Sequence, residues 1–184
     1  MIVALDANCL VAWASRGASS QLDRARLDYL LSQVAAAGGK VIIPAPAFAE
    51  FLVGIDEAAA EWINVLDRKR SILIAPFDRR AAFECSLLDK AAIGMGDKRG
   101  GRKEPWQHIK VDRQIVAIAR VNQAGTMIAN DAGLRATAMA AGLRSMRVSE
   151  LELPDSARQQ SLLVDGEEGQ AAQAKSASKR DRKK

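Results

Sequence analysis

At 184 residues the chain is long enough to bury one ordinary hydrophobic core without disulfide staples. Of its 27 bases and 22 acids, six bases and one acid fall in residues 174–184, so the remainder is balanced at 21 against 21 and the net charge of +5 belongs to the end of the chain. Two cysteines without a CxxC pair, no signal-like segment and no long apolar run exclude a disulfide scaffold and a membrane span, and point to a reduced, cytoplasmic protein.

The first apolar run, Ile2-Val3-Ala4-Leu5, ends in Asp6 and turns helical over 8–13, as the first step of a parallel α/β sheet does. A helix is expected over 21–37, where Leu22, Leu27, Leu30, Leu31 and Val34 recur near helical spacing until Gly38-Gly39 stops them. Val41-Ile42-Ile43 is a short buried strand closed by Pro44 and Pro46, and residues 47–53 form a helix that carries Glu50. Another helix is expected over 55–68 with Ile63 and Leu66 inward, and a third strand over 71–75, and then Asp78 caps a helix running to about Ile93.

The stretch 94–105 is rich in glycine and base and lacks periodicity, so it reads as a mobile loop. Helical spacing resumes over 111–123 with Asp112 at its start. A fourth strand over 126–129 leads directly into Asn130-Asp131, a helix over 132–141 ends at Gly142, and 145–148 forms a fifth strand. Alternating strands and helices with short connections specify a three-layer α/β/α domain over 1–154 with a five-stranded, mainly parallel sheet. Residues 155–184 have the composition of a disordered basic tail, with one short helix expected near Leu162.

Four acids define the candidate site: Asp6, Glu50, Asp112 and Asp131. Asp6, Asp112 and Asp131 each stand at an expected helix start, where capping explains an acid equally well. Capping would accept Ser, Thr or Asn too, whereas here acids follow the first and fourth strands and others enter the same layer. Clustered carboxylates without a His or Cys cluster suit a hard cation, Mg²⁺ or Mn²⁺, and such a site hydrolyses phosphodiesters.

Four segments carry a resemblance: Leu5-Asp6-Ala7-Asn8-Cys9-Leu10, Ile43-Pro44-Ala45-Pro46-Ala47-Phe48-Ala49-Glu50, Val111-Asp112-Arg113-Gln114-Ile115, and Met127-Ile128-Ala129-Asn130-Asp131. In this order, over roughly residues 1–150, the sequence resembles the PIN-domain nucleases and, among them, the VapC-like toxins of bacterial toxin–antitoxin pairs. The resemblance implies that Asp6, Glu50, Asp112 and Asp131 bind metal and that Asn8 and Asn130 orient neighbouring carboxylates or water. It implies an endoribonuclease leaving 5′-phosphate and 3′-hydroxyl ends, a cognate antitoxin, and a homodimer. The chain departs from the family in having Ala129 where many relatives carry Thr or Ser, Gly133 where some carry a further acid, and a longer separation between Glu50 and Asp112.

Lys98, Arg99, Arg102, Lys103 and Lys110 lead into Asp112 and are candidates to hold RNA phosphates, with Trp106 either stacking a base or tucked against the core. His108 has no Ser or Cys partner and is expected at the surface; Cys9 reads as a small buried hydrophobe; Trp13 and Trp62 belong to the core or to a partner surface. Three rivals remain. A phosphotransfer domain also places Asp after its first strand, but lacks support at Asn8 and at Ala75-Pro76. A non-catalytic RNA-binding or adaptor module would use the basic loop and tail, and a housekeeping RNA-processing nuclease would share the chemistry without the antitoxin.

Overall fold

The computed structural model describes residues 1–155 and Ala157; the basic tail and the helix expected near Leu162 otherwise lie outside the described residues. Five strands, β1 (Ile2–Leu5), β2 (Lys40–Pro44), β3 (Ile72–Ala75), β4 (Thr126–Ile128) and β5 (Arg144–Met146), form one parallel sheet in the order β3-β2-β1-β4-β5. The sheet therefore grows outward from β1 in one direction through β3 and then in the other through β5. Its topological switch lies between β1 and β4, where open α/β sheets leave a crevice beyond the strand ends.

The strands alternate between two cores, as the two-residue period demands. Val3, Leu5, Val41, Ile43 and Ile128 face one side, and are covered by α1 (Ala7–Ala14), α2 (Gln21–Ala36), α3 (Ala45–Ile55) and α4 (Ala59–Asp67) through Leu10, Leu27, Phe51 and Leu66. Ala4, Ile42 and Met127 face the other, under α5 (Arg79–Gly94), α6 (Trp106–Val121) and α7 (Ala132–Ala140), which contribute Ala81, Ile115, Ile118, Leu134 and Ala138. Trp13 is buried, donates through Nε1 to Asp28 Oδ1 at 2.7 Å and meets Trp62 edge-on at 5.0 Å between centroids, which places both tryptophans in the first core. No helix among the described residues is long and apolar enough to cross a membrane.

Four expectations are corrected. The helix expected over 55–68 is broken: α3 continues to Ile55, a 3-10 turn covers Asp56–Ala58, and α4 follows, leaving Ile63 37% exposed while Leu66 is buried. Proline set in the first turn explains why α3 begins at Ala45, since Pro46 needs no helical N–H there. The fifth strand lies a residue earlier than expected, at Arg144–Met146, and Val148 starts a 3-10 turn. The largest change concerns α6, which begins at Trp106 rather than Val111, directly after Pro105 at the N-cap. Asp112 is thus in the second turn, where it has no N–H to cap.

Candidate active site

Asp6 leaves β1 at the switch point, its backbone N–H donating to Ile128 O at 3.1 Å and so continuing the pairing of β1 with β4. It holds the N-cap position of α1, yet its side chain makes no capping hydrogen bond. The carboxyl is instead turned into a pocket of about 330 Å³, with only 4% of the residue exposed. Glu50 enters this pocket from α3, Asp112 from α6, and Asp131 from the N-cap of α7, just beyond β4. The structure therefore gathers all four candidate acids in one cavity. Asn8, the second residue of α1, lines the same pocket.

Burial pushes the Asp6 carboxyl from 3.8 up to about 6; the Ala7 backbone N–H offsets part of this, and the carboxylates of Glu50, Asp112 and Asp131 add to it. Asp112 is raised in the same direction, first by burial, which outweighs its hydrogen bond from Arg102, and further by Asp131 and Glu104. These mutual effects show that the acids feel one another as like charges. Asp131 is exposed and does cap α7, accepting from Leu134 N–H through Oδ1 at 2.6 Å. For this residue capping and a role in the pocket coexist, because the carboxylate has a second oxygen.

Glu50 sits on the exposed face of α3 and borders the cavity. Asn130 does not line the acid pocket: its Oδ1 accepts from Val148 N–H at 3.2 Å, and with Asn8, Ser15, Ser20 and Asp131 it lines a shallower groove of about 480 Å³.

Of the five bases proposed from sequence, Arg102 alone lines the acid pocket. Its Nη1 donates to Asp112 Oδ2 at 2.6 Å and to Thr137 Oγ1 at 3.2 Å, and its Nε to Glu104 at 3.4 Å. Lys98 lies over the Trp106 ring, 5.3 Å from its centroid, and the Arg113 guanidinium lies at the same distance. Trp106 is thus packed against cations of its own chain, half-buried. Arg99, Lys103 and Lys110 are exposed. The loop itself is tied down: Asp97 accepts from the N–H groups of Arg99 (2.8 Å) and Gly101 (2.6 Å), and buried Arg113 donates to Lys98 O and to Asp89, each at 2.6 Å.

Two polar lining residues were not among the site residues expected from sequence. His108 borders the pocket one helical turn before Asp112, and Glu104 supplies a fifth carboxylate at the mouth. His108 shares a face with Asp112 and Ile115 through i, i+4, i+7 spacing, which becomes visible only once α6 is started at Trp106. Cys9 is buried, donates to Ile128 O at 3.2 Å and has its thiol pushed up by burial, which makes it the inert hydrophobe expected.

The donor set, four carboxylates with an amide beside them, is all oxygen and suits a hard divalent cation. Among the described residues, however, no group of three or more His, Cys, Asp or Glu side chains is drawn into an arrangement that would hold a metal ion. The residues fit such an ion by chemistry and by shared location. What Asp112 grips here is the Arg102 guanidinium.

No protein-family model and no curated protein match the sequence. Among solved structures the fold is similar to that of DNA-bound VapBC from Salmonella typhimurium, at 15% identity and a TM-score of 0.52, covering 80% of this chain and 98% of that one. It is similar also to VapBC-1 from nontypeable Haemophilus influenzae, at 12% identity and a TM-score of 0.52, covering 82% and 100%. At such identities the likeness is one of fold, and it agrees with the PIN-type α/β architecture expected from the four motifs.

Proposed function

We propose that this chain is a divalent-cation-dependent endoribonuclease, acting in the cytoplasm as the toxin of a toxin–antitoxin pair. The observation that carries the reading is the convergence of Asp6, Glu50, Asp112 and Asp131, from four separate elements, on one pocket at the switch point of the sheet. Buried Asp6 in particular is held as a poor anion among three other carboxylates, a condition that a cation relieves.

Those four acids would hold Mg²⁺ or Mn²⁺, which when bound supplies Lewis-acid stabilisation of charge developing on a phosphodiester and lowers the pKa of water. The chain's own residues do the rest. Asn8 is placed to orient a carboxylate or a water from the first turn of α1, and the apolar wall of Val111, Ile115 and Leu134 keeps the local dielectric low, so the charges act strongly. Exposed Arg99 and Lys103 lie on the approach to α6 and exposed Lys110 in its second turn, where RNA phosphates would meet them.

The toxin assignment draws on the sequence resemblance and on a fold shared with solved VapBC structures. An antitoxin segment that covers the acidic pocket, and a second copy of the chain, are the partners proposed. Exposed apolar side chains such as Val53 on α3 and Phe83 on α5 give such partners surface to bury.

The test is cleavage of a mixed RNA pool by the purified protein with Mn²⁺ and with EDTA, alongside Asp6→Asn and Asp112→Asn variants matched for folding by circular dichroism. We expect metal-dependent cutting that falls by roughly a hundredfold or more in either variant. Equal cutting by wild type and both variants would show these acids to be structural and defeat the mechanism.

A further inference from the structure

We propose that Arg102 is a built-in counter-ion that competes with the divalent cation for Asp112, so that the site takes up metal only when Arg102 withdraws. The inference rests on the metal-dependent reading above and concerns what governs loading of that site.

Arg102 is not a solvated member of a basic loop. Its side chain is 13% exposed, against 17% for Asp112, and it reaches partners on three segments: Asp112 on α6, Thr137 on α7, and Glu104 on its own loop. A charge-assisted bond of 2.6 Å from Nη1 commits Asp112 Oδ2 to the guanidinium. A cation at ligand distance from that same oxygen would stand against a fixed positive charge, so the two are mutually exclusive there.

Space for the guanidinium is made by Gly133. A Cβ built there would overlap Nη2 and lie 2.6 Å from Cζ of Arg102. Gly133 is not in the left-handed region, so nothing in its backbone requires glycine, and what it leaves open is the seat of Arg102. The loop is anchored so as to deliver that side chain: Asp97 closes the turn before it, and Arg113 clamps Lys98 O from within the core. Arg102 also removes part of the mutual repulsion among the acids, which otherwise only metal would do.

The experiment is calorimetric titration of Mn²⁺ into the metal-stripped full-length protein, wild type against Arg102→Gln and Gly133→Ala, with folding checked by thermal melts. Gly133→Ala keeps the arginine but occupies its seat, and alanine favours the helix. Both variants should bind Mn²⁺ more tightly, on the order of tenfold, or about 1.4 kcal/mol. If wild type binds Mn²⁺ and Arg102→Gln binds it equally or less well, Arg102 does not compete and the inference fails while the metal-dependent reading stands. Should Arg102→Gln not fold, Gly133→Ala decides by the same criterion. If neither the wild type nor any folded variant binds Mn²⁺, the metal-dependent reading fails and takes this inference with it.

Discussion

Asp6→Asn should stabilise the metal-free protein at neutral pH while removing the residue on which the proposed chemistry most depends. The Asp6 carboxyl lies at about 6 in the folded chain against an ordinary 3.8, first because it is buried. A raised value means that the folded state holds the proton more tightly than the unfolded state does. The stability linked to Asp6 is therefore complete below about pH 4 and is lost as pH rises through about 6. At about 1.36 kcal/mol per unit, the loss approaches about 3 kcal/mol at neutral pH, and for a domain of this size it corresponds to roughly 6–12 °C in Tm. Asparagine mimics the protonated acid, so the difference between variant and wild type should be near zero at pH 4 and reach its full size at pH 7.5. The assay is urea or thermal unfolding in EDTA at a series of pH values, and using the difference cancels the titration of other groups. Curves that run parallel from pH 4 to 7.5, or a variant less stable at pH 7.5, would refute the reasoning. Adding Mn²⁺ should close the gap by stabilising wild type alone, by about 2.7 kcal/mol at a hundredfold excess over Kd.

The two duties of Asp131 can be separated. Asp131→Asn keeps an oxygen for the Leu134 N–H and should leave unfolding unchanged while weakening Mn²⁺ binding, whereas Asp131→Ala should also cost about 1 kcal/mol of stability; equal destabilisation by both would deny the cap. Arg113→Met should cost about 2–4 kcal/mol by stranding Asp89 and the Lys98 carbonyl, and should free the loop between α5 and α6 for limited proteolysis; unchanged stability and cleavage would contradict the tie.

The fold was legible because its buried strands are short apolar runs separated by helical spacing, and Ile2–Leu5, Lys40–Pro44 and Ile72–Ala75 all lie within a residue or so of expectation. Asp6 and Asp131 were legible for the same reason, since a strand of a parallel sheet ends at the rim where sites form. The start of α6 was not. Trp106, Gln107, His108 and Lys110 continue the polarity of the loop before them, and only Pro105 marked the boundary. That misplacement hid His108 and made Asp112 look like a cap. Ile63 misled differently: helical spacing puts it beside Leu66, but the break at Asp56–Ala58 turns α4 so that one is covered and the other is not. Arg102 could not have been found by any period, because its meaning depends on Asp112, on Thr137 and on the missing Cβ of Gly133, three positions that only the packing of α6 against α7 brings together.

Capping and metal chemistry make different demands on a carboxylate, and Asp131, Asp6 and Asp112 meet them in different ways. A cap lies in solvent with one oxygen on a backbone N–H; this describes one oxygen of Asp131, a duty Asn or Ser would perform nearly as well, and leaves the other oxygen for the pocket. Asp6 holds an N-cap position and declines the bond, is buried, and is ionised against its surroundings at a cost of about 3 kcal/mol that a single change to Asn would remove. Asp112 lies where no cap is possible and is occupied by a cation from its own chain. Structure alone gives a reason for charge at Asp112, the ion pair with Arg102, and none at Asp6. A site built to attract a positive ion would give one, and on Asp112 the arginine of the same chain already supplies a positive charge to the pocket.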